Sequence, residues 1–479
     1  MDLAIPYRKK AEKLQSELQK LQKLFKGIFD NHNKAIGKYL DFVNDPDCQV
    51  AIVGAVNSGK STLMNAILGV DIASTDVRPE TAALTIFKYS SKGNYVEVHF
   101  YTTEEWNDLW ASAAKSKDSL FRKEYDELGA GKKKKDWINH PLKKETSKSI
   151  GDLRATVKEY SSSQSPCHYF VKKIVIGLST WGSKNFPLPP YLTFVDTPGL
   201  FDVIPYRANI TREYIDRANA VVVCVDKTIR DADYKTIVET FENIGNDKGK
   251  VIILGTQMDV LNEPDEDWKK LKEKWHKQFE DLYRDRELVD TNIIGVSAYI
   301  FNMVQKLDAG EPVKDNAINI NTIITFAEKS GIRIRPFNPI GRAIKIFADE
   351  KNEIIKKKEK ILRQTNIGEF LQVLKEGPLK EPDMVLAEDI DSRFNDIVAD
   401  LKQTAEDQKD KVERKLKYLH ADQKKKKGVI AEKNREINKI KEEREDIQQK
   451  FDDMQKGIMG EITRMKKKIN SELKKSMGA

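Results

Sequence analysis

Gly54, Gly59, Lys60 and Ser61 stand at the spacing GxxxxGKS inside GAVNSGKST, residues 54–62. The apolar run QVAIV precedes them, and STLMNAIL, which is helical, follows. Strand, glycine-rich turn and helix form the setting in which this spacing cradles phosphate. The glycines let the backbone wrap closely around an anion. Successive N–H groups over Asn57, Ser58, Gly59, Lys60, Ser61 and Thr62, together with the helix N-terminus, then face it. Lys60 is placed to reach the β- and γ-phosphates, and Ser61 to ligand Mg²⁺.

Three further short motifs follow, each at the end of an apolar run. DTPGL (196–200) ends YLTFV; Asp196 can hold Mg²⁺ through water, and the Gly199 N–H can bond the γ-phosphate and sense its loss. TQMD (256–259) ends VIILG; the Asp259 carboxylate can accept from both N1–H and N2–H₂ of guanine, which adenine does not offer. SAY (297–299) ends NIIGV, where the N–H groups of Ser297 and Ala298 can read guanine O6. This order of motifs resembles the GTPase class of P-loop proteins and predicts GTP/GDP and Mg²⁺ as ligands. One position departs from the usual [NT]KxD pattern: after Thr256, Gln257 stands where a lysine stem would stack on the base.

The threonine that closes over Mg²⁺ and the attacking water must lie in DIASTDVRPETAALT. Thr81 is the choice, Thr75 the alternative, and Thr85 falls too far into the next strand. After DTPG comes Leu200, where many small GTPases carry a glutamine that orients water. Another group must therefore do that work: a partner molecule, a cation or the backbone near Thr81. Asn57 either holds a monovalent cation such as K⁺ against the phosphates or braces the loop.

These motifs need a scaffold, and the sequence supplies one. QVAIVGAV, LTIFKYS, YVEVHFY, KKIVIGLS, YLTFVD, AVVVCVD, KVIILGT and NIIGVSA are short β-branched runs, mostly separated by helical stretches. That alternation predicts an α/β P-loop head with a mostly parallel sheet and helices on both faces, over residues 48–330. A polar, helix-rich insertion interrupts it at about 103–165, with Lys132–Lys135 as a solvated loop.

Both chain ends read as helix. Tyr7, Ala11, Leu14, Leu18, Leu21, Phe25, Ile28, Ile36, Leu40 and Val43 make an apolar stripe over residues 1–47. Residues 331–479 carry two more, one from Ile390 to Leu419 and one from Ile437 to Leu473. Each stripe is one-sided and needs partners. The simplest arrangement is an elongated helical stalk built from both ends of the chain.

Bulk composition narrows the class. The chain has 479 residues, 33% charged, with a formal net charge of +8, which permits an anionic partner without requiring one. Cys48, Cys167 and Cys224 are an odd set without CxxC spacing, so neither a disulfide framework nor a zinc site is expected. The N-terminus lacks the apolar core of a signal peptide, and no run nears the ~18–20 apolar residues of a membrane span. A cytoplasmic protein, peripheral at most on a membrane, is expected.

With these residues in view, the chain resembles the bacterial dynamin-like proteins. GAVNSGKSTLMNAILG is similar to their P-loop region and VRPETAALT to their switch I. DTPGLFD with Arg207 and Thr211 is similar to their switch II, and HFYTTEEW and TVKEYSSS to the flanks of their insertion. The resemblance covers roughly residues 48–300. It implies a large GTPase that hydrolyses GTP, whose heads dimerise across the nucleotide face and whose stalk self-assembles or levers, acting on membranes. It also admits related dynamin-like subunits as partners. The substantial membrane-binding paddle usual in such proteins has no counterpart in the roughly 145 residues after the head. Two stalk tips are conceivable, EGPLKEPDMV (376–385) and KKKKGVI (424–430); the first is preferred, with the lysines then near the head. Two other classes compete: a nucleotide-gated scaffold subunit and a ribosome- or RNA-associated GTPase. The second is disfavoured because no GXXG loop in a KH setting and no aromatic stacking sheet is visible, so nucleic acid is not the expected partner.

Overall fold

The computed structural model describes all residues except 1–3, 26, 45, 56, 74–83, 116–118, 163, 184–185, 198–211, 213, 216–217, 246, 311–315, 335–345, 424–429 and 477–479. The chain divides into two compact units: Cys48–Lys380, and residues 1–47 together with 381–479.

The first unit is built on a nine-stranded sheet. Its strands are β1 (Cys48–Gly54), β2 (Leu84–Tyr89), β3 (Tyr95–Phe100), β4 (Lys143–Thr146), β5 (Val171–Leu178), β8 (Leu192–Asp196), β9 (Ala220–Val225), β10 (Val251–Gly255) and β11 (Ile293–Gly295); β6 (Gly182–Ser183) and β7 (Phe186–Pro187) form a separate ribbon. The order is β11-β10-β9-β1-β8-β2-β5-β3-β4. From β11 to β8 every neighbour is parallel, while β2 meets β8, and β3 meets β5 and β4, antiparallel. The expected, mostly parallel sheet is thus observed. β1, β8, β9 and β10 are almost wholly buried on both faces, which is why they read as unbroken apolar runs. Val53, Val221, Val223, Ile253, Phe241 and Trp275 share one core on one side of the sheet.

All eight apolar runs are strands. β4, which is KKET, carries no apolar residue and lies at the sheet edge with its side chains half or fully exposed, so it has no signal to read. A charged edge is also a defence against pairing with other chains. The insertion carries helices Thr103–Lys115, Ser119–Glu127 and Ile150–Ser161, tied down by an aromatic core of Tyr101, Trp106, Tyr125, Tyr169 and Phe170. Lys132, Lys133 and Lys135 are exposed, while Lys134 sets its ammonium 5.8 Å from the Trp106 ring.

The α/β unit runs on past 330. Helices Ile346–Lys356, Lys358–Gln364 and Ile367–Glu376 stay with the sheet, burying Ile354, Ile361, Leu362, Ile367, Phe370 and Leu374. Lys358 ion-pairs with Asp308 at 2.7 Å to fasten the segment. The boundary drawn at 330 marks a change of periodicity, and the structural division falls after Lys380.

The second unit is a bundle of four helices: Ala4–Leu24, Asp30–Asn44, Pro382–Gln423 and Ile430–Ser476. The single N-terminal stripe is therefore two helices. Gly27, at φ 82°, breaks it in the left-handed region. The two helices fold back on each other: Asn33 donates to Gln22 beside the turn, and at the opposite end Tyr7 and Tyr39 bond the adjacent residues Asp391 and Ile390. The C-terminal pair is antiparallel too, because Glu413 faces Arg444 while Asp391 faces Lys466. Tyr7, Ala11, Leu14, Leu18, Tyr39, Ile390, Phe394, Leu401, Ile458 and Ile462 form one core, so the stripes pair within the chain. A helix of 42 residues spans about 63 Å at 1.5 Å per residue. It outruns its N-terminal partners, and farther along Leu416 and Ile437 form a small buried cluster among the described residues, with Val412 and Ile440 against them.

The turn at 376–385 is where the chain passes between the units, so it is not the far tip of the helical unit. Gly377 ends one helix, and Pro382 opens the next as its first residue. The other conceivable tip, KKKKGVI, falls between the helices ending at Gln423 and beginning at Ile430, and its residues 424–429 lie outside the described residues. Among the described residues no helix is long and apolar enough to cross a membrane.

Candidate functional site

The candidate site lies at the C-terminal ends of β1, β8, β10 and β11. β1 is central, parallel to both β8 and β9, so the loop after Gly54 emerges from the middle of the sheet. At Gly54 an added Cβ would sit 2.5 Å from both the Cys224 carbonyl oxygen and Ser58 Oγ. At Gly59, which has φ 81°, it would sit 3.2 Å from Thr256. Both glycines are thus required by close packing, and the loop is drawn tight against the strands beside it. Asn57 adopts φ 65° and is exposed. Ser61 and Thr62 occupy the first turn of helix Lys60–Leu68, where N–H groups lack intrahelical acceptors. Lys60 folds back, its ammonium donating to the carbonyls of Gly54 at 2.9 Å and Ala55 at 3.0 Å.

Asp196 ends β8, buried, and Thr197 ties the following loop back to β1 by donating through Oγ1 to the Ile52 carbonyl at 3.0 Å. Thr85 pairs directly across from Asp196 in the β2–β8 register. It is therefore within the strand, as its position suggested, and β2 begins beside Asp196. Thr75, Thr81, Gly199, Leu200, Arg207 and Thr211 lie outside the described residues.

TQMD does two jobs. Its first half braces the phosphate loop. Thr256, buried, donates through Oγ1 to the Ser58 carbonyl at 2.9 Å, with the Val225 carbonyl at 3.1 Å. Gln257, held at φ 61°, donates through Nε2 to the Asn57 carbonyl at 3.3 Å. Gln257 thus bonds the loop as an ammonium could, with a neutral amide. The second half presents the carboxylate. Asp259 Oδ1 is shut off from solvent and has no hydrogen-bond partner, and burial pushes the carboxyl above the usual aspartate range. Nearby, Ser297 Oγ is also buried without a partner, and so is Ser58 Oγ in the phosphate loop. A buried polar atom without a partner costs about 1–3 kcal/mol. Three of them, ringing one loop and the motifs for phosphate and base, fit a nucleotide that would supply the missing partners.

SAY behaves less uniformly. The Ser297 N–H donates to the Thr365 carbonyl at 3.0 Å and is already used. Ala298 is the first residue of helix Ala298–Asp308, where N–H groups lack intrahelical acceptors.

Two supporting elements escaped the sequence reading. Asn65, buried in the helix after the phosphate loop, accepts from the N–H groups of Ile72 and Ala73 at 3.0 and 2.8 Å and donates to the Ala73 carbonyl at 2.9 Å. It fixes the chain that leads into residues 74–83. Its signal was a lone amide in the apolar run TLMNAIL. Asp71, next to this lead, is paired with Lys306 and accepts from Asn302 at 3.1 Å, which holds its carboxyl below the usual range. The second supporting element, Thr365 with Asn366, left no pattern at all.

A family model described as Dynamin family matches residues 50–258. Dynamin-like protein 1 of Campylobacter jejuni subsp. jejuni serotype O:23/36 (strain 81-176) is 29% identical over 256 residues, which are 52% of this chain and 32% of that protein. The match thus spans about a third of that relative's length. A solved structure described as an oligomerised bacterial dynamin pair aligns over 100% of this chain and 79% of its own, at 20% identity and a TM-score of 0.42. LeoA, a bacterial dynamin GTPase from ETEC, aligns over 99% of this chain and 69% of its own, at 14% identity and a TM-score of 0.33. Residues 50–258, within the α/β unit, are thus similar to the Dynamin family.

Proposed function

We propose that this chain hydrolyses GTP to GDP and phosphate and couples the nucleotide cycle to its helical unit, as a dynamin-like GTPase with a head at 48–380 and a stalk from 1–47 and 381–479. The observation that carries this reading is the pair of buried, partnerless oxygens, Asp259 Oδ1 and Ser297 Oγ, at the ends of adjacent strands β10 and β11. Thr256 and Gln257 bond the same motif to the phosphate loop.

Asp259 accepts guanine N1–H and N2–H₂, and Ala298 N–H meets O6. Gly54, Asn57, Ser58, Gly59, Lys60, Ser61 and Thr62 surround the phosphates, with Lys60 turning outward from the Gly54 and Ala55 carbonyls. Ser61, Thr81 and Asp196 would hold Mg²⁺, which would neutralise phosphate charge when bound. In this reading Thr81 orients water, Gly199 follows the γ-phosphate, and Asn57, which is exposed and has φ 65°, takes K⁺. Heads pair across the nucleotide face, self-association follows through the helical unit, and the target is a membrane surface, with related dynamin-like subunits as further partners.

The test is GTP turnover against protein concentration, in Na⁺ or K⁺ alone, with and without anionic liposomes. Specific activity rising with concentration or lipid supports heads that complete one another, and a K⁺ requirement supports Asn57. Slow, flat turnover in every condition refutes an autonomous enzyme and leaves a nucleotide-gated scaffold. Lys60→Ala is the control that abolishes nucleotide binding.

A further inference from the structure

β11 is the outermost strand at its end of the sheet and only Ile293–Gly295 long. Such an edge leaves backbone donors and acceptors without a strand partner. Here it also leads straight into the base-reading residues Ser297 and Ala298. A turn from far along the chain closes it. Asn366 Nδ2 donates to the Gly295 carbonyl at 2.9 Å, and the Thr365 carbonyl accepts from Ser297 N–H at 3.0 Å. The two bonds bracket Val296, whose own N–H is donated across to the Gly255 carbonyl at 2.7 Å. Residues 295–297 are therefore clamped between β10 on one side and the Thr365–Asn366 turn on the other.

The turn is shaped for this contact. Thr365 is fully buried and donates through Oγ1 to the Leu362 carbonyl at 2.6 Å. Asn366 sits at φ 56° and ψ 11°, a left-handed conformation that asparagine tolerates better than most residues. From that backbone its amide points at Gly295. Gly295 is pinned from elsewhere as well: an added Cβ would lie 2.6 Å from the Trp268 ring. The helix that follows the turn is docked closely, since an added Cβ at Gly368 would lie 2.9 Å from Phe186. The turn thus has rigid ground on both sides.

We infer that Asn366 is a positioning residue for base recognition: with Thr365 it sets the register of Ser297–Ala298, so that Ala298 N–H meets O6 of a guanine whose N1–H and N2–H₂ are held by Asp259. This rests on the guanine reading above. Ser297 N–H is committed to Thr365, so O6 recognition depends on the next N–H being aimed correctly. The segment that aims it, 358–376, is also the last stretch of the α/β unit before the chain crosses to the helical unit.

The test uses the full chain with Asn366→Gly and Asn366→Asp. Glycine keeps the left-handed backbone and loses the amide. Aspartate keeps the shape and turns an acceptor toward the Gly295 carbonyl. Calorimetric titrations with GDP, IDP and ADP are compared, alongside the melting temperature of the nucleotide-free protein. IDP retains O6 and N1–H and lacks the 2-amino group. The expected result is a three- to tenfold weaker affinity for GDP and IDP in the same proportion, ADP unchanged, and a correspondingly smaller GDP-over-ADP preference. A turn that only staples the fold lowers the melting temperature and leaves that preference as it was; this outcome overturns the inference. If the unsubstituted chain itself fails to prefer GDP over ADP, the guanine reading falls and this inference with it. If it prefers GDP and both variants keep the full preference, only the role of Asn366 falls.

Discussion

Gln257 offers a two-sided test of how the base motif supports the phosphate loop. Its amide reaches the Asn57 carbonyl at 3.3 Å, a long bond between neutral groups at a part-exposed position. Net hydrogen-bond contributions run about 0.5–1.5 kcal/mol, and this one belongs at the low end. Gln257→Ala removes it and the stem that flanks the base, so GDP affinity should fall about two- to threefold. Gln257→Lys installs a charged donor, and charge-assisted bonds are about twice as strong as neutral ones. A gain of roughly 1 kcal/mol corresponds to about fivefold tighter binding, since 1.4 kcal/mol is tenfold. The left-handed backbone at φ 61° taxes glutamine and lysine alike, so strain should cancel between them. Calorimetric titration with GDP at two salt concentrations reads both effects, and the lysine gain should shrink at high salt. If Gln257→Lys binds no more tightly than the unsubstituted chain, or Gln257→Ala loses nothing, the bond to Asn57 does not support the site.

Asp259 should make guanine binding pH-dependent. Burial raises its carboxyl above the ordinary value of 3.8, and only the ionised form accepts two N–H donors. GDP affinity should therefore fall on acidification at a pH where an ordinary aspartate is still ionised, and Asp259→Asn should weaken binding and abolish that slope. A flat profile above pH 4 would refute the assignment. Thr81→Ala should bind GTP and turn it over about 100-fold more slowly, the scale for losing one transition-state contact; full turnover would transfer the role to Thr75. In the helical unit, Lys10 is buried with its ammonium lacking a hydrogen-bond partner, 4.9 Å from the Tyr7 ring and 5.8 Å from the Phe394 ring. Burial lowers its pKa, against opposing fields from Asp391 and Glu461. A cation whose folded pKa is depressed costs stability below that pKa and ceases to cost it as pH rises toward the unfolded value of 10.5. Lys10→Met should therefore raise the melting temperature by a few degrees at pH 7, with the advantage shrinking toward pH 10; a lower melting temperature would mean that the ammonium is stabilising.

Legibility in the sequence followed from how many residues carried each feature. The buried strands announced themselves, because β1, β8, β9 and β10 are apolar on both faces and no other local structure explains runs such as VVVCV. The motifs were legible because phosphate and guanine chemistry fixes residue types at short spacings, as with Lys60 after Gly59 or Asp259 after Thr256. β4 was invisible because an edge strand of lysines and a glutamate has no periodic face. The break at Gly27 was missed because the apolar stripe continues in phase across it, with Phe25 and Ile28 flanking the turn. Asn366 and Thr365 were beyond reach: their function comes from bonds to Gly295 and Ser297, about seventy residues earlier, and neither end is unusual locally.

The boundary after Lys380 changes how a nucleotide signal could travel. Had the α/β unit ended at 330, everything beyond would have been free to move with the helical bundle. Instead, Ile354, Ile361, Phe370 and Leu374 are buried with the sheet, and Lys358 is paired to Asp308. The bundle is joined covalently to the α/β unit at two crossings, Asp47–Cys48 and Lys380–Glu381. The first opens β1, which runs into the phosphate loop within seven residues. The second follows the helix that Asn366 caps, beside the base-reading loop. The two covalent routes out of the α/β unit thus lead from the two halves of one nucleotide site. A ligand that spans both halves would bias both crossings at once, which is the condition for coupling by differential binding. A phosphate-only ligand such as pyrophosphate engages the first half alone. Its effect on hydrogen exchange near Glu381 should therefore be smaller than that of GDP, and equal protection by the two ligands would show that the second route carries nothing.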